Sequence, residues 1–134
     1  MSKPSMVIVL LEDDHQQMLV YRYLKRCGLD HAMRIKSSPS GGGSAEHWVR
    51  QRLVQEVIAY RGRQAKARTA LIVVIDADTY TVQERLNQLD QVLKDAQKQA
   101  ITASEQIVRL VPKRNIEAWI LCLNEKAVDE ETDY

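Results

Sequence analysis

ALIVVIDADT, residues 70–79, is the stretch whose reading decides the fold. Leu71 to Ile75, preceded by Ala70, form an unbroken apolar run rich in β-branched side chains. A run with no polar alternation reads as a central strand of a parallel sheet, covered on both faces. It ends in two carboxylates, Asp76 and Asp78, separated by one alanine. In open α/β sheets, ligands sit outside the carboxyl ends of the strands, which is where both acids emerge. Residues two apart on an extended chain project to one side. Such a pair repels itself unless a cation or proton is shared, so it reads as a hard-metal site for Mg²⁺ or Mn²⁺. The same letters also fit a helix cap or turn built by Asp78 and Thr79.

Toward the N-terminus, Met6 to Leu11 (MVIVLL) is a second continuous apolar run and reads as the first buried strand, ending in Glu12, Asp13 and Asp14. From Asp14 to Gly28, Met18, Tyr21, Leu24 and Cys27 recur at helical spacing, with Asp14 as N-cap and Gly28 as the stop. His31 to Lys36 (HAMRIK) is a weaker strand that belongs near an edge. SSPSGGGS, residues 37–44, could present backbone N–H groups to a phosphate. It matches neither the dinucleotide fingerprint nor the P-loop, and it reads more simply as a loop whose Ser44 caps the next helix. That helix runs from about Ala45 to Arg61 on a stripe of Val49, Leu53, Val57 and Tyr60, widened by Val54 and Ile58.

RGRQAKAR, residues 61–68, carries basic residues and no acid, and leads into the amino end of the central strand. It therefore lies on the rim opposite the aspartates, as a solvated loop or a remote anchoring patch. Past the aspartates, Val82, Leu86, Leu89, Leu93 and Ala96 mark an amphipathic third helix. Ile107 to Val111 reads as the fourth strand, ended by Pro112 and followed by Lys113 and Arg114 on the acidic rim. Asn115 then caps a fourth helix with Ile116, Ile120 and Leu123 buried and Trp119 at its flank. Residues 125–134 form an acidic tail. Strand and helix alternate four times, which predicts a single domain over 1–134 of the α/β class. Its mainly parallel sheet of about four strands carries helices on both faces, a Rossmann-like three-layer sandwich.

Composition narrows the function classes. With 19 Lys and Arg against 18 Asp and Glu, the chain has no polycation character, so any nucleic-acid contact must come from local patches. Cys27 and Cys122 belong to no CxxC or Cys/His zinc pattern and read as buried free thiols of a reducing compartment. No stretch approaches membrane-spanning length, and the N-terminal apolar run is short and meets acids at once, so the expectation is a cytoplasmic protein.

Three strand ends converge on one rim: Glu12 with Asp13 and Asp14, Asp76 with Asp78, and Lys113 with Arg114. On these residues the chain resembles the TOPRIM family, the catalytic domain of topoisomerases, primases and the overcoming-lysogenization-defect nucleases. In that family a Glu follows the first core strand and a DxD follows a later one, matched here by Glu12 in VLLEDD and by Asp76 and Asp78 in VIDADT. The resemblance covers nearly the whole chain. It implies a metal-dependent phosphodiester hydrolase, a nuclease using Mg²⁺ or Mn²⁺. Asp76 and Asp78 would be metal ligands, Glu12 a metal ligand or general acid/base, and Lys113 the lysine that some members carry near the end of the fourth strand. VPKRNIEAW also looks like the closing motif of small TOPRIM-like bacterial proteins that accompany an ATPase in phage defence. A partner ATPase, or a second copy of the chain, is expected to help grip DNA or RNA. The family's glycine after the motif glutamate is replaced here by Asp13, which can itself join the metal site. Asp14, Arg114 and Glu117 are further candidates. Topoisomerase activity is not expected, since these 134 residues cannot hold a catalytic-tyrosine domain beside the core.

Two other readings stay open. VLLEDDHQQMLVYRYLKRCG is similar to the opening of response-regulator receiver domains, which would make Asp76 a phosphoacceptor. The 64 positions between Glu12 and Asp76 are long for a receiver, and the usual Met-Pro, Gly and Lys-Pro marks are missing. A catalytically silent α/β interaction domain would use the same acids as turns and caps. His15 and His47, near the rim, and the tryptophans Trp48 and Trp119 read more simply as surface, capping or packing residues than as site residues.

Overall fold

Two apolar strands, β1 (Met6–Leu11) and β3 (Thr69–Val74), run side by side in parallel at the centre of the molecule, with Leu10 level with Val73. The computed structural model of the chain describes residues 4–38, 45–64, 68–77 and 79–112. Outside the central pair lie β2 (Met33–Ser37), next to β1, and β4 (Ile107–Leu110), next to β3. Every pairing is parallel and the order is β2-β1-β3-β4. The helices are α1 (Asp14–Arg26), α2 (Ala45–Arg63) and α3 (Val82–Asp95).

The unbroken apolar runs are explained by what covers them. Alternate residues Ile8, Leu10, Leu71, Val73 and Ile75 pack against Val49, Leu53, Val57 and Tyr60 of α2 and Leu89 and Leu93 of α3. The intervening Val7, Val9, Leu11, Ile72 and Val74 pack against Val20 and Leu24 of α1. The result is a three-layer α/β sandwich. Each buried aliphatic side chain is worth about 1.5–3 kcal/mol relative to exposure, which is why strands apolar on both faces cannot sit at an edge of this fold. The half-buried β2 takes the edge instead.

Local signals set the helix ends. Thr81 and Glu84 form a reciprocal capping box at the start of α3. Gly28 has a φ of 74°, and its N–H donates to the Lys25 carbonyl while that of Leu29 donates to Leu24. This left-handed stop suits a residue without Cβ.

Several expectations need correcting. The N-cap of α1 is Asp13, not Asp14. Its buried residues are Gln16, Leu19, Val20 and Leu24, whereas Met18 and Tyr21 are 50% and 40% exposed and Cys27 is only half-buried. A pattern repeating every third residue drifts by about 60° per step on a helix of 3.6 residues per turn, so it leaves the buried face. His31 and Ala32 belong to a 3₁₀ turn over Asp30–Ala32 that precedes β2. α2 continues through Arg63, so Arg61 and Arg63 are helical and Arg61 is ion-paired to Glu105. Ile58 points outward, 45% exposed. The glycine run, the fourth helix and the acidic tail lie outside the described residues. Among the described residues, no helix is long and apolar enough to cross a membrane.

Candidate functional site

The connections from β1 explain why one rim is special. The chain leaves β1 through α1 to β2 on one side, then crosses back through α2 to β3 on the other. Strand order therefore reverses between β1 and β3, and the crevice beyond their carboxyl ends is the usual ligand position in sheets of this order. Glu12 directly follows β1, and Asp76 follows β3 by one residue.

The two acids are joined there. Glu12 Oε1 accepts the Asp76 backbone N–H at 2.6 Å. Gln16, in the first turn of α1 and only 1% exposed, donates through Nε2 to Glu12 Oε1 at 2.9 Å and to Asp76 Oδ1 at 3.1 Å. Its Oε1 accepts the Glu12 backbone N–H at 2.7 Å. A carboxylate only accepts and a backbone N–H only donates, so the amide has one orientation that satisfies every partner. Asp13, the N-cap, accepts the Gln16 backbone N–H on Oδ1 at 3.0 Å, which seats Gln16 under the two acids.

Burial raises the Glu12 carboxyl above its usual range, and the charges of Asp76 and Asp13 add to that; the Asp76 N–H and the Gln16 amide oppose it. Both hydrogen bonds to the Glu12 carboxylate fall on Oε1. Oε2 is therefore the atom at which a proton or a cation would act.

A second network holds Asp76 from the α2 and α3 side. Arg85, 2% exposed, donates through Nε to the Asp76 carbonyl at 2.9 Å and through Nη1 to Glu46 at 3.2 Å and Gln88 at 2.9 Å. Its guanidinium lies 4.7 Å from the centre of the Tyr80 ring. Glu46 is also gripped by Arg50 through two bonds of 2.7 and 3.0 Å. The Tyr80 N–H donates to the Ala77 carbonyl, closing a turn across 77–80, and the cap of α3 is Thr81. Of the two structural alternatives expected at Asp78 and Thr79, a helix cap or a turn, the cap falls to Thr81 and the chain turns between Ala77 and Tyr80.

Sequence reasoning identified Glu12 and Asp76 and missed Gln16, Arg85 and Glu46. The spacing of Asp13 and Gln16 carried a signal, since an acid three residues before Gln marks a helix start. Nothing local marks a glutamine as the bridge between two carboxylates 64 positions apart. Of the further candidates, Asp14 lies exposed in the first turn of α1, and His15 and His47 are exposed. Asp78, Lys113, Arg114 and Glu117 lie outside the described residues. Among the described residues, no group of three His, Cys, Asp or Glu is placed to hold a metal ion. Two carboxylates still fit Mg²⁺, which commonly takes one or two protein carboxylates and completes its octahedron with water and substrate phosphate. No family model matches the chain, and no curated protein or solved structure matches it.

Proposed function

We propose that the rim at Glu12 and Asp76 is the centre of a Mg²⁺- or Mn²⁺-dependent phosphodiester hydrolase, a nuclease-like TOPRIM domain acting on DNA or RNA with a partner such as an ATPase, or with a second copy of itself, in phage defence. The observation that carries the reading is the Glu12 carboxylate bonded to the Asp76 N–H at the point where strand order reverses. A divalent ion at such a centre supplies Lewis acidity toward a phosphoryl oxygen and makes water more acidic. The protein's own contribution is proton handling and alignment. Glu12, with its carboxyl raised by burial, is suited to take a proton from an attacking water through Oε2. Asp76 supplies oxygen ligation with Asp78, Gln16 holds the carboxylates in register, and Arg85 anchors the Asp76 carbonyl. Lys113 would offset charge on the transferring phosphoryl group.

A specific observation also favours a second reading. Gln16 bridges one oxygen of each acid with a protein donor, a structural tie that a catalytically silent interaction domain would use.

Asp76→Asn separates the two. The variant keeps the acceptor for Gln16 and loses the charge. It should abolish Mg²⁺-dependent cleavage of DNA or RNA and weaken metal binding at least ten-fold by calorimetry, with thermal stability in chelator equal or slightly higher. Lys113→Ala should spare metal affinity and lower turnover. If Asp76→Asn unfolds the protein and the parent shows no saturable metal binding, the acids are structural. A stable acyl phosphate on Asp76, formed with a small phosphodonor and seen by mass spectrometry, would instead make the chain receiver-like.

A further inference from the structure

The flank of α2 that faces the edge strand carries a groove separate from the acid rim. Trp48, Gln51, Arg52 and Gln55, spaced three, four and seven residues from the first, line a cavity of about 170 Å³. Trp48 is half-buried, packed in part against the core under α2. Glu56, just beneath, is 2% exposed and takes Lys36 of β2 at 2.8 Å and Arg52 at 3.4 Å on the same oxygen. The Glu56 carboxylate thereby holds two cations side by side, and their charge exceeds its own. Arg34 and Lys36 are level with Ile8 and Leu10, whose side chains face α2, so β2 turns both of its cations toward this flank. The buried Arg52 Nε faces Glu56 in that ion pair without forming a hydrogen bond among the described residues, and the Arg52 side chain as a whole is 42% exposed.

An aromatic ring, two amides and a surplus of cations are the parts of a nucleotide subsite: a face for stacking, groups that donate and accept toward a base edge, and charge for a phosphate. The cavity is smaller than the roughly 300–1,000 Å³ of drug-sized ligand sites, which suits one planar ring with its phosphate outside. A base can offer its face to Trp48 only when unstacked, as in single strands and not in duplex.

We propose that this groove is a subsite for one unpaired nucleotide of single-stranded nucleic acid, its base against Trp48 and its phosphate on Arg52 and Lys36. The inference deepens, and rests on, the phosphodiester reading of the acid rim. The test measures binding without chemistry. Fluorescein-labelled oligothymidylate and oligouridylate of about ten nucleotides, and a duplex of the same sequence as control, are titrated in EDTA and followed by anisotropy. The parent should bind single strands saturably and the duplex more weakly. Trp48→Leu, which keeps apolar packing and removes the ring, should weaken single-strand binding about ten-fold. Arg52→Gln should weaken it and lower the slope of log affinity against log salt by about 0.7. Asp76→Asn should bind as tightly as the parent or more so. Absence of single-strand binding by the parent at low salt, or parent-like binding by the groove variants, overturns the proposal. Circular dichroism checks folding, and if Trp48→Leu fails to fold, Arg52→Gln with Gln55→Ala carries the test alone. The two readings fail differently. Groove variants that bind and cleave like an active parent remove the groove and leave the rim, whereas lost binding beside an inactive parent leaves the groove and removes the rim.

Discussion

Gln16 is the residue on which the acid rim turns. Both ends of its amide are used, and every partner belongs to Glu12 or Asp76. Gln16→Leu would keep the buried volume and strip the donors from two carboxylates and the acceptor from the Glu12 N–H. The expected cost is about 1–3 kcal/mol, the penalty of leaving buried polar groups unmade, read by urea denaturation. Gln16→Glu tests the electrostatics more sharply. It would set a third carboxylate against the first two, lowering stability in chelator. If the rim accepts a divalent cation, Mg²⁺ should restore more stability to this variant than it adds to the parent, because binding to the folded state stabilises by mass action. Equal responses to Mg²⁺ in both proteins would count against a cation at this rim.

The elements are tied to one another by charged clamps, and one of them joins the end of α2 to the segment between α3 and β4. Arg61 meets Glu105 through two bonds of 2.8 and 3.1 Å and also donates to the Gln99 and Ala100 carbonyls. Glu105 accepts the Thr102 N–H, and the Tyr60 hydroxyl accepts the Gln106 N–H at 2.7 Å, so the end of α2 orders the approach to β4. Arg61 holds the Glu105 carboxyl below its ordinary value of 4.5. A depressed carboxyl contributes stability that is complete above the unfolded value and lost as pH falls through the folded one. Glu105→Gln should therefore be less stable than the parent by about 1 kcal/mol at neutral pH. That difference should shrink below pH 4.5 and vanish in stronger acid. Thermal melts of both proteins across that range check it, and a gap that persists in acid would show that the pair acts through packing instead.

At the scale of the whole molecule, the sheet positions the rim. Leu10 is fully buried between β3 and the α2 and α3 layer. Leu10→Ala should cost about 2–5 kcal/mol through lost burial and the cavity left behind, with an unchanged denaturant slope if the fold survives. Asp76→Asn, by contrast, should cost little stability, so the two variants separate what builds the fold from what lies on it.

The sequence by itself determined the layer order of this protein. The apolar runs at 6–11 and 70–75 have no polar face, so they can only be central, and their acids can only emerge at a carboxyl rim. The amphipathic stripes of α2 and α3 were legible because burial follows one helical face, shown by Val49, Leu53 and Val57 and by Leu89 and Leu93. The stripe of α1 was misread because chemically apolar Met18 and Tyr21 compete with Gln16, whose burial depends on partners far away in the chain. That β1 lies beside β3 was expected from the acids that end both strands, and it holds; only tertiary structure set the rest of the strand order, since that depends on which helices cross which face. Likewise it alone brought Arg85 to the Asp76 carbonyl and Lys36 to Glu56. A buried polar side chain is stable only where its partners converge, and convergence across the sheet leaves no mark on local spacing.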